Sequence, residues 1–182
     1  MKTRVASPVE VDLKDRVMDF AASASIEVTP HDTGVLPSLV GRLPGNSTVY
    51  ITHVPNSTTL EVVDVACALE KLGFKACPHI VARRIENEDA LARALDRMKD
   101  NGITRAMLIA GDLSTPTGVF SSSLGVLDTG ALVSAGVTSI GVAGHPEGHK
   151  RVGSTLLWDS LRQKQDYSEL TGARVHIVSQ FG

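Results

Sequence analysis

Aromatic residues are scarce in this chain: Phe, Trp and Tyr make up 4% of its 182 residues. Single-stranded nucleic acids are held on stacked rings, so that class of partner is set aside. A basic excess is missing too. Lys and Arg number 18 against 20 Asp and Glu, a net charge of -2, which gives no footprint for a phosphate backbone. Only two cysteines occur, Cys67 and Cys77, both in apolar surroundings and without CxxC spacing. They read as two buried free thiols of a reducing compartment, not as a disulfide or a zinc site. No apolar run approaches the ~20 residues that span a bilayer. The opening Met1-Lys-Thr-Arg lacks the apolar core of a signal peptide. A cytoplasmic protein that touches neither membrane nor nucleic acid is the expectation. Neither a GxGxxG nor a P-loop pattern follows any apolar run, so the two commonest nucleotide cradles are unsupported.

What is present is alternation. The length suits a single domain, residues 1–182, able to bury roughly 70% of its unfolded surface. Residues 1–24 hold a leading helix, Val9 to Ala22, whose apolar members Val11, Val17, Met18 and Phe20 are expected to pack on a sheet edge or barrel end. Strands then follow at Ser25–Val28, Ser47–Val54, Lys75–Ala82, Ala106–Ala110, Ser139–Ala143 and Arg174–Phe181. Between them lie helical patterns. Leu36–Leu43 is short. The next begins at the capping box Thr58-x-x-Glu61, carries Leu60, Val63, Ala66, Cys67 and Leu69 on its apolar face, and stops at Gly73. Asn87 caps a third, with Leu91, Ala94, Leu95 and Met98 facing the core. Leu124–Ala135 and Ser154–Gln165 complete the set, the last with Leu156, Leu157 and Leu161 inward.

Strand–helix units of roughly 25–35 residues, with short continuous apolar strands, predict an α/β fold with a parallel sheet. Polar residues end nearly every strand: Glu27, His53, His79, Asp112, His145 and Gln180. An open doubly wound sheet would gather them at one switch point. The expectation is therefore a (βα)8 TIM barrel, of which this chain supplies about six units. Eight units and about 250 residues are usual. Either the sequence belongs to a longer protein or other chain material completes the barrel. The open strand edges make a homo-oligomer plausible.

Chemistry concentrates at those strand ends. Gly111-Asp112 closes the fourth strand and opens a Gly/Ser/Thr/Pro-rich loop, Leu113–Ser121, longer than the usual ~2–6 residues and so a candidate binding loop. After the fifth strand stand His145, Glu147 and His149. Pro146 and Gly148 break any helix-face geometry there, so no metal site is assigned. Glu27 inside a strand is costly unless paired, protonated or facing a cavity; an edge strand with Glu27 in solvent is the competing reading. Asp112 also reads as a helix cap or Asx turn, His79 as a satisfied strand-end histidine, and Gln180 as a polar terminus. His53 and His176 receive no role.

The segments SIEVTP, VYITH, CPHI, LIAGD, GVAGHPEGH and IVSQF, from Ser25 to Phe181, resemble the methylenetetrahydrofolate reductase family. The resemblance implies a TIM barrel that binds FAD at the carboxyl ends of its strands. It implies NADH or NADPH as hydride source and reduction of 5,10-methylenetetrahydrofolate to 5-methyltetrahydrofolate. Glu27 matches the general acid that protonates the folate nitrogen; a carboxyl at a desolvated strand end can donate a proton near neutrality. Asp112 matches the aspartate between flavin and pterin, and Gln180 the glutamine that binds folate. Thr52 and His79 match residues lying against the flavin, and Gly111 a close backbone approach. Phe120 and Ser121 fall where the family packs the adenosine half, and His149 near the phosphates. His145 occupies a position often Tyr, and Asp159 sits beside the ribose-binding aspartate. Ala110 stands where the family commonly has Arg. Two other outcomes remain: a folate-binding or methyltransferase-type barrel without flavin redox chemistry, or an inactive fragment.

Overall fold

The computed structural model describes residues 13–179. Six strands form one all-parallel sheet in sequential order: β1 (Ile26–Val28), β2 (Thr48–Ile51), β3 (Lys75–Val81), β4 (Arg105–Ile109), β5 (Ser139–Gly144) and β6 (Arg174–Ser179). The helices are α1 (Leu13–Ala22), α2 (Thr59–Lys71), α3 (Glu88–Asp100), α4 (Ser123–Asp128), α5 (Ala131–Ser134) and α6 (Ser154–Thr171). Each crossover returns the chain to the strand beside the one it left, and the right-handed rule then keeps the crossovers on one face. A doubly wound sheet would reverse its order at a switch point; this one does not. The architecture is compatible with part of a TIM barrel. The expected closure is not formed by these strands, since among the described residues β1 pairs only with β2 and β6 only with β5.

Strand parity divides the sheet into two unlike faces. Val28, Val49, Ile51, Ala76, Ile80, Ala106, Leu108, Ile140 and Val142 join one core with residues of α2, α3, α4 and α5. The opposite parity carries Glu27, Tyr50, His79, Arg105, Gly141 and His176, with Cys77 and Met107 buried among them. The uniformly apolar strands read from the sequence are therefore corrected: β2 alternates along its length, and β6 is open on both faces. Both cysteines are buried and free, as read. Burial pushes the Cys77 thiol up to about 12, so it stays protonated.

Local chemistry explains the helices that matched. Thr58 accepts from the Glu61 N–H while the Glu61 carboxylate accepts from the Thr58 N–H at 2.7 Å, closing the capping box. Gly73 follows with φ +87°, where a Cβ would be strained. Asn87 accepts from the Ala90 N–H at 2.8 Å, and Leu91, Ala94, Leu95 and Met98 are the buried face of α3. Other expectations fail. The described part of the leading helix buries nothing: Val17, Met18 and Phe20 are exposed, the last by 80%. Leu36–Leu39 is a single 3-10 turn. Leu60 points outward from α2. The predicted 124–135 helix breaks at Gly130, whose φ of +67° ends one helix and starts another. Leu156 is exposed on α6, where Lys164 is the buried residue. β6 is an edge strand of the sheet, and α6 precedes it there.

Candidate functional site

Glu27 lies in β1 opposite Tyr50, and Tyr50 lies in β2 opposite Cys77. His79 is two residues beyond Cys77 on the same face. Sheet twist brings it back toward β1, so His79 Nε2 stands 4.0 Å from Glu27 Oε2. The Tyr50 ring meets the imidazole edge-on, with centroids 6.2 Å apart at 75°. Burial lowers His79 to about 4, and the nearby His53 acts in the same direction. A carboxylate at 4.0 Å would favour the imidazolium, but desolvation prevails because the ring is 13% exposed while Glu27 is 59% exposed. At neutral pH the imidazole is uncharged, so the contact is not an ion pair. Two expectations are revised. Glu27 is not desolvated by this chain, as the solvent-facing reading had it. The His79 ring makes no hydrogen bond among the described residues, so it is not a satisfied strand-end histidine.

The fourth and fifth strand ends meet through Arg151. Its guanidinium donates to the Asp112 carbonyl at 3.1 Å and to Asp112 Oδ1 at 3.3 Å. The Asp112 side chain is fully exposed and caps no helix. His149 Nδ1 accepts from the Arg151 N–H at 3.2 Å, and the His145 and His149 rings are 4.9 Å apart. Burial lowers His145 first, with the charges of His149 and Lys164 adding. Lys164 is itself lowered by burial. Thus Asp112, His145 and His149 do assemble, with Arg151 as the link that the motif alone did not assign.

Gly111 earns its place sterically. Its φ is +90°, and a Cβ would run into Val81 Cγ1. Gly111→Ala is expected to cost about 2 kcal/mol from strain and overpacking. Thermal unfolding of the single variant and of Gly111→Ala with Val81→Ala checks this: the double variant should recover the steric part and keep the backbone part. Equal stabilities for Gly111→Ala and the parent protein would sink it.

The 113–121 loop departs from expectation most. Arg83 donates through Nε to the Ser121 carbonyl at 2.7 Å and through Nη1 to the Leu113 carbonyl at 2.8 Å. The Thr117 N–H donates to the Arg83 carbonyl, and a Cβ on Gly118 would strike the Glu86 and Ile85 carbonyls. The loop is strapped to the β3–α3 connection. Phe120, expected to pack an adenosine group, is 6% exposed and belongs to the protein core. Ser121 is exposed with its carbonyl already occupied. Asp159 pairs with Arg162 at 3.0 Å along α6 and, among the described residues, with no strand-end residue. Thr52 follows β2, with its N–H donating to the Val28 carbonyl and its hydroxyl without a partner among the described residues. Gln180 lies outside the described residues.

Among the described residues no three metal-ligating side chains converge, and no helix is long and apolar enough to cross a membrane. The residues named from the strand ends line neither of two surface clefts. One, of about 270 Å³, lies between Leu36 and Val65. The other, of about 180 Å³, opens at the amino ends of the strands. Arg105, Ser139 and Arg174 line that second cleft and were missed. A signal existed: each is the first residue of its strand, the mirror image of the strand-end pattern. No family model matches the chain, so the family resemblance stands on its motifs.

Proposed function

We propose that the protein is an oxidoreductase of one-carbon metabolism, reducing 5,10-methylenetetrahydrofolate to 5-methyltetrahydrofolate with NADH or NADPH through FAD. The observation that carries this reading is the Glu27–His79 pair, 4.0 Å apart on the polar face of the sheet, with Tyr50 at its side. A planar pterin laid over that face would cover Glu27, exclude water from it and receive its proton at the ring nitrogen. The Asp112 carboxylate accepts hydrogen bonds from the pterin edge, Arg151 keeping it at the mouth of the site. Gln180 is assigned to the same ligand by resemblance.

The residues fit FAD at one end only. Among the described residues the His79 ring and the Thr52 hydroxyl make no hydrogen bond, and Gly111 lets backbone approach, so the isoalloxazine end is accommodated. Bound there, the flavin supplies hydride transfer between nicotinamide and folate. Phe120, Ser121 and Asp159 are occupied within the protein, which leaves the adenosine end without its expected contacts. This specific mismatch favours, as second reading, a folate-binding barrel without flavin redox chemistry.

Visible absorption separates the two. Purified protein should show bands near roughly 370 and 450 nm that bleach with NADH or NADPH and return with methylenetetrahydrofolate. A colourless protein that takes up no added FAD removes the flavin and leaves the second reading.

A further inference from the structure

We propose that the amino ends of the strands form a binding site for a phosphate-sized dianion, at the opposite end of the sheet from Asp112. The site is a cleft of about 180 Å³ lined by Thr48, Arg105, Ser139, Arg174 and His176, among others. Its floor is built by register. Arg105 pairs with Ser139 across β4 and β5, and Ser139 with Arg174 across β5 and β6. Adjacent parallel strands lie ~4.8 Å apart, so the two arginines start about 10 Å apart with Ser139 between them. Side chains long enough to lean inward can then close their guanidinium forks over the serine hydroxyl.

Two independent features point to an absent ligand. Ser139 is 7% exposed, and its hydroxyl is buried without a hydrogen-bond partner among the described residues. His176 Nδ1 is buried and unpartnered as well. Buried polar atoms are nearly always satisfied, and an orphan in a polar cleft marks a missing partner. The charge is one-sided too. The ion pairs among the described residues engage Arg97, Arg151, Arg162 and His79, and neither Arg105 nor Arg174 has a carboxylate. Two uncompensated guanidiniums flanking one strand position repel when both lean over it, and an anion between them relieves this. Burial, followed by the charges of Arg174 and Arg105, holds His176 below its ordinary value. A tetrahedral oxyanion suits the donor set better than a planar one, because donors approach from several strands and forked guanidiniums match phosphate oxygens. Room is made at Gly141, where a Cβ would crowd Met107 Sδ and stand 3.3 Å from His176 Nε2. The cleft admits inorganic phosphate or a small phosphate monoester, which share this chemistry.

The test uses the full chain with inorganic phosphate and a small alkyl phosphate as probes, at constant ionic strength set with chloride. Thermal unfolding and the His176 imidazole resonance are followed together. Phosphate should raise the unfolding temperature and move the His176 titration upward, and the tighter of the two probes identifies the source. Ser139→Ala should stabilise the free protein, because it removes an orphaned hydroxyl, yet blunt the phosphate response. Arg174→Gln should weaken phosphate by roughly tenfold or more, as loss of a charge-assisted contact does. Equal effects of phosphate and chloride would overturn the proposal, as would a full response in both variants. Tyr50 borders this cleft as well as the Glu27–His79 pair, but Ser139 and Arg174, which the two variants change, have no part in the folate reading, so the two proposals fail separately.

Discussion

Glu27→Gln is expected to slow the folate half-reaction by at least about 100-fold while flavin reduction by NAD(P)H proceeds at its parent rate, the range general-acid catalysis commonly supplies being ~10²–10⁴. Gln keeps the shape of Glu and an acceptor oxygen, but an amide has no proton to give as an acid. The first half-reaction needs no such proton, so a selective loss isolates the role. His79 cannot readily substitute. Burial holds it at about 4 and neutral, so at neutral pH it carries no proton to give as an acid of matched strength. Because Glu27 is 59% exposed, the substitution should leave the unfolding temperature nearly unchanged, which separates a chemical effect from a folding defect. Stopped-flow measurement of the two half-reactions provides the readout. Survival of both would remove Glu27 as the acid, and loss of both would mean that the face binds cofactor rather than folate.

The second large effect is on stability. His79 falls from 6.5 to about 4 on folding, chiefly because burial penalises the imidazolium. A group with a depressed folded-state value favours the folded state above its unfolded value. As pH drops below about 6.5 the unfolded chain takes up a proton that the folded protein refuses. Stability should therefore decline from pH 6.5 down to about 4 and gain no further loss from His79 below that. At about 1.4 kcal/mol per unit, the full change is about 3 kcal/mol. His53, His145 and His176 are lowered in the same direction and deepen the slope. Asp32 and Glu61 are lowered by hydrogen bonds to Thr29 and Thr58, so their contribution falls away only in a more acidic window. Chemical denaturation across pH 4–7 checks this, with His79→Phe as the comparison. Phe keeps a ring against Tyr50 and cannot titrate, so its slope should be visibly shallower. Superimposable pH profiles would show that His79 is not buried as described.

Much of the scaffold was legible because it is written locally. The Thr58–Glu61 box, the Asn87 cap and the Leu91, Ala94, Leu95, Met98 stripe each depend on residues three or four apart, where sequence spacing and spatial neighbourhood coincide. Alternation of strand and helix likewise implies a parallel sheet, since parallel neighbours require a crossover. The leading helix misled because Val17, Met18 and Phe20 have helical spacing, and spacing says which side is apolar, not whether anything covers it. Phe120 misled in the opposite sense: a loop rich in Ser, Thr and Gly looks like a ligand clamp, and only Arg83, 30 positions before Leu113 and 38 before Ser121, shows that it is strapped down.

By itself the sequence determined most of the elements, their order, the caps of α2 and α3 and the polar character of the carboxyl strand ends. Tertiary structure decided which of those polar residues meet. Glu27 reaches His79 because the intervening strand and the sheet twist set their separation, and Arg105, Ser139 and Arg174 share a row because register aligns them. Register and twist arise from pairing between segments some thirty residues apart, and no local pattern of side chains encodes that distance.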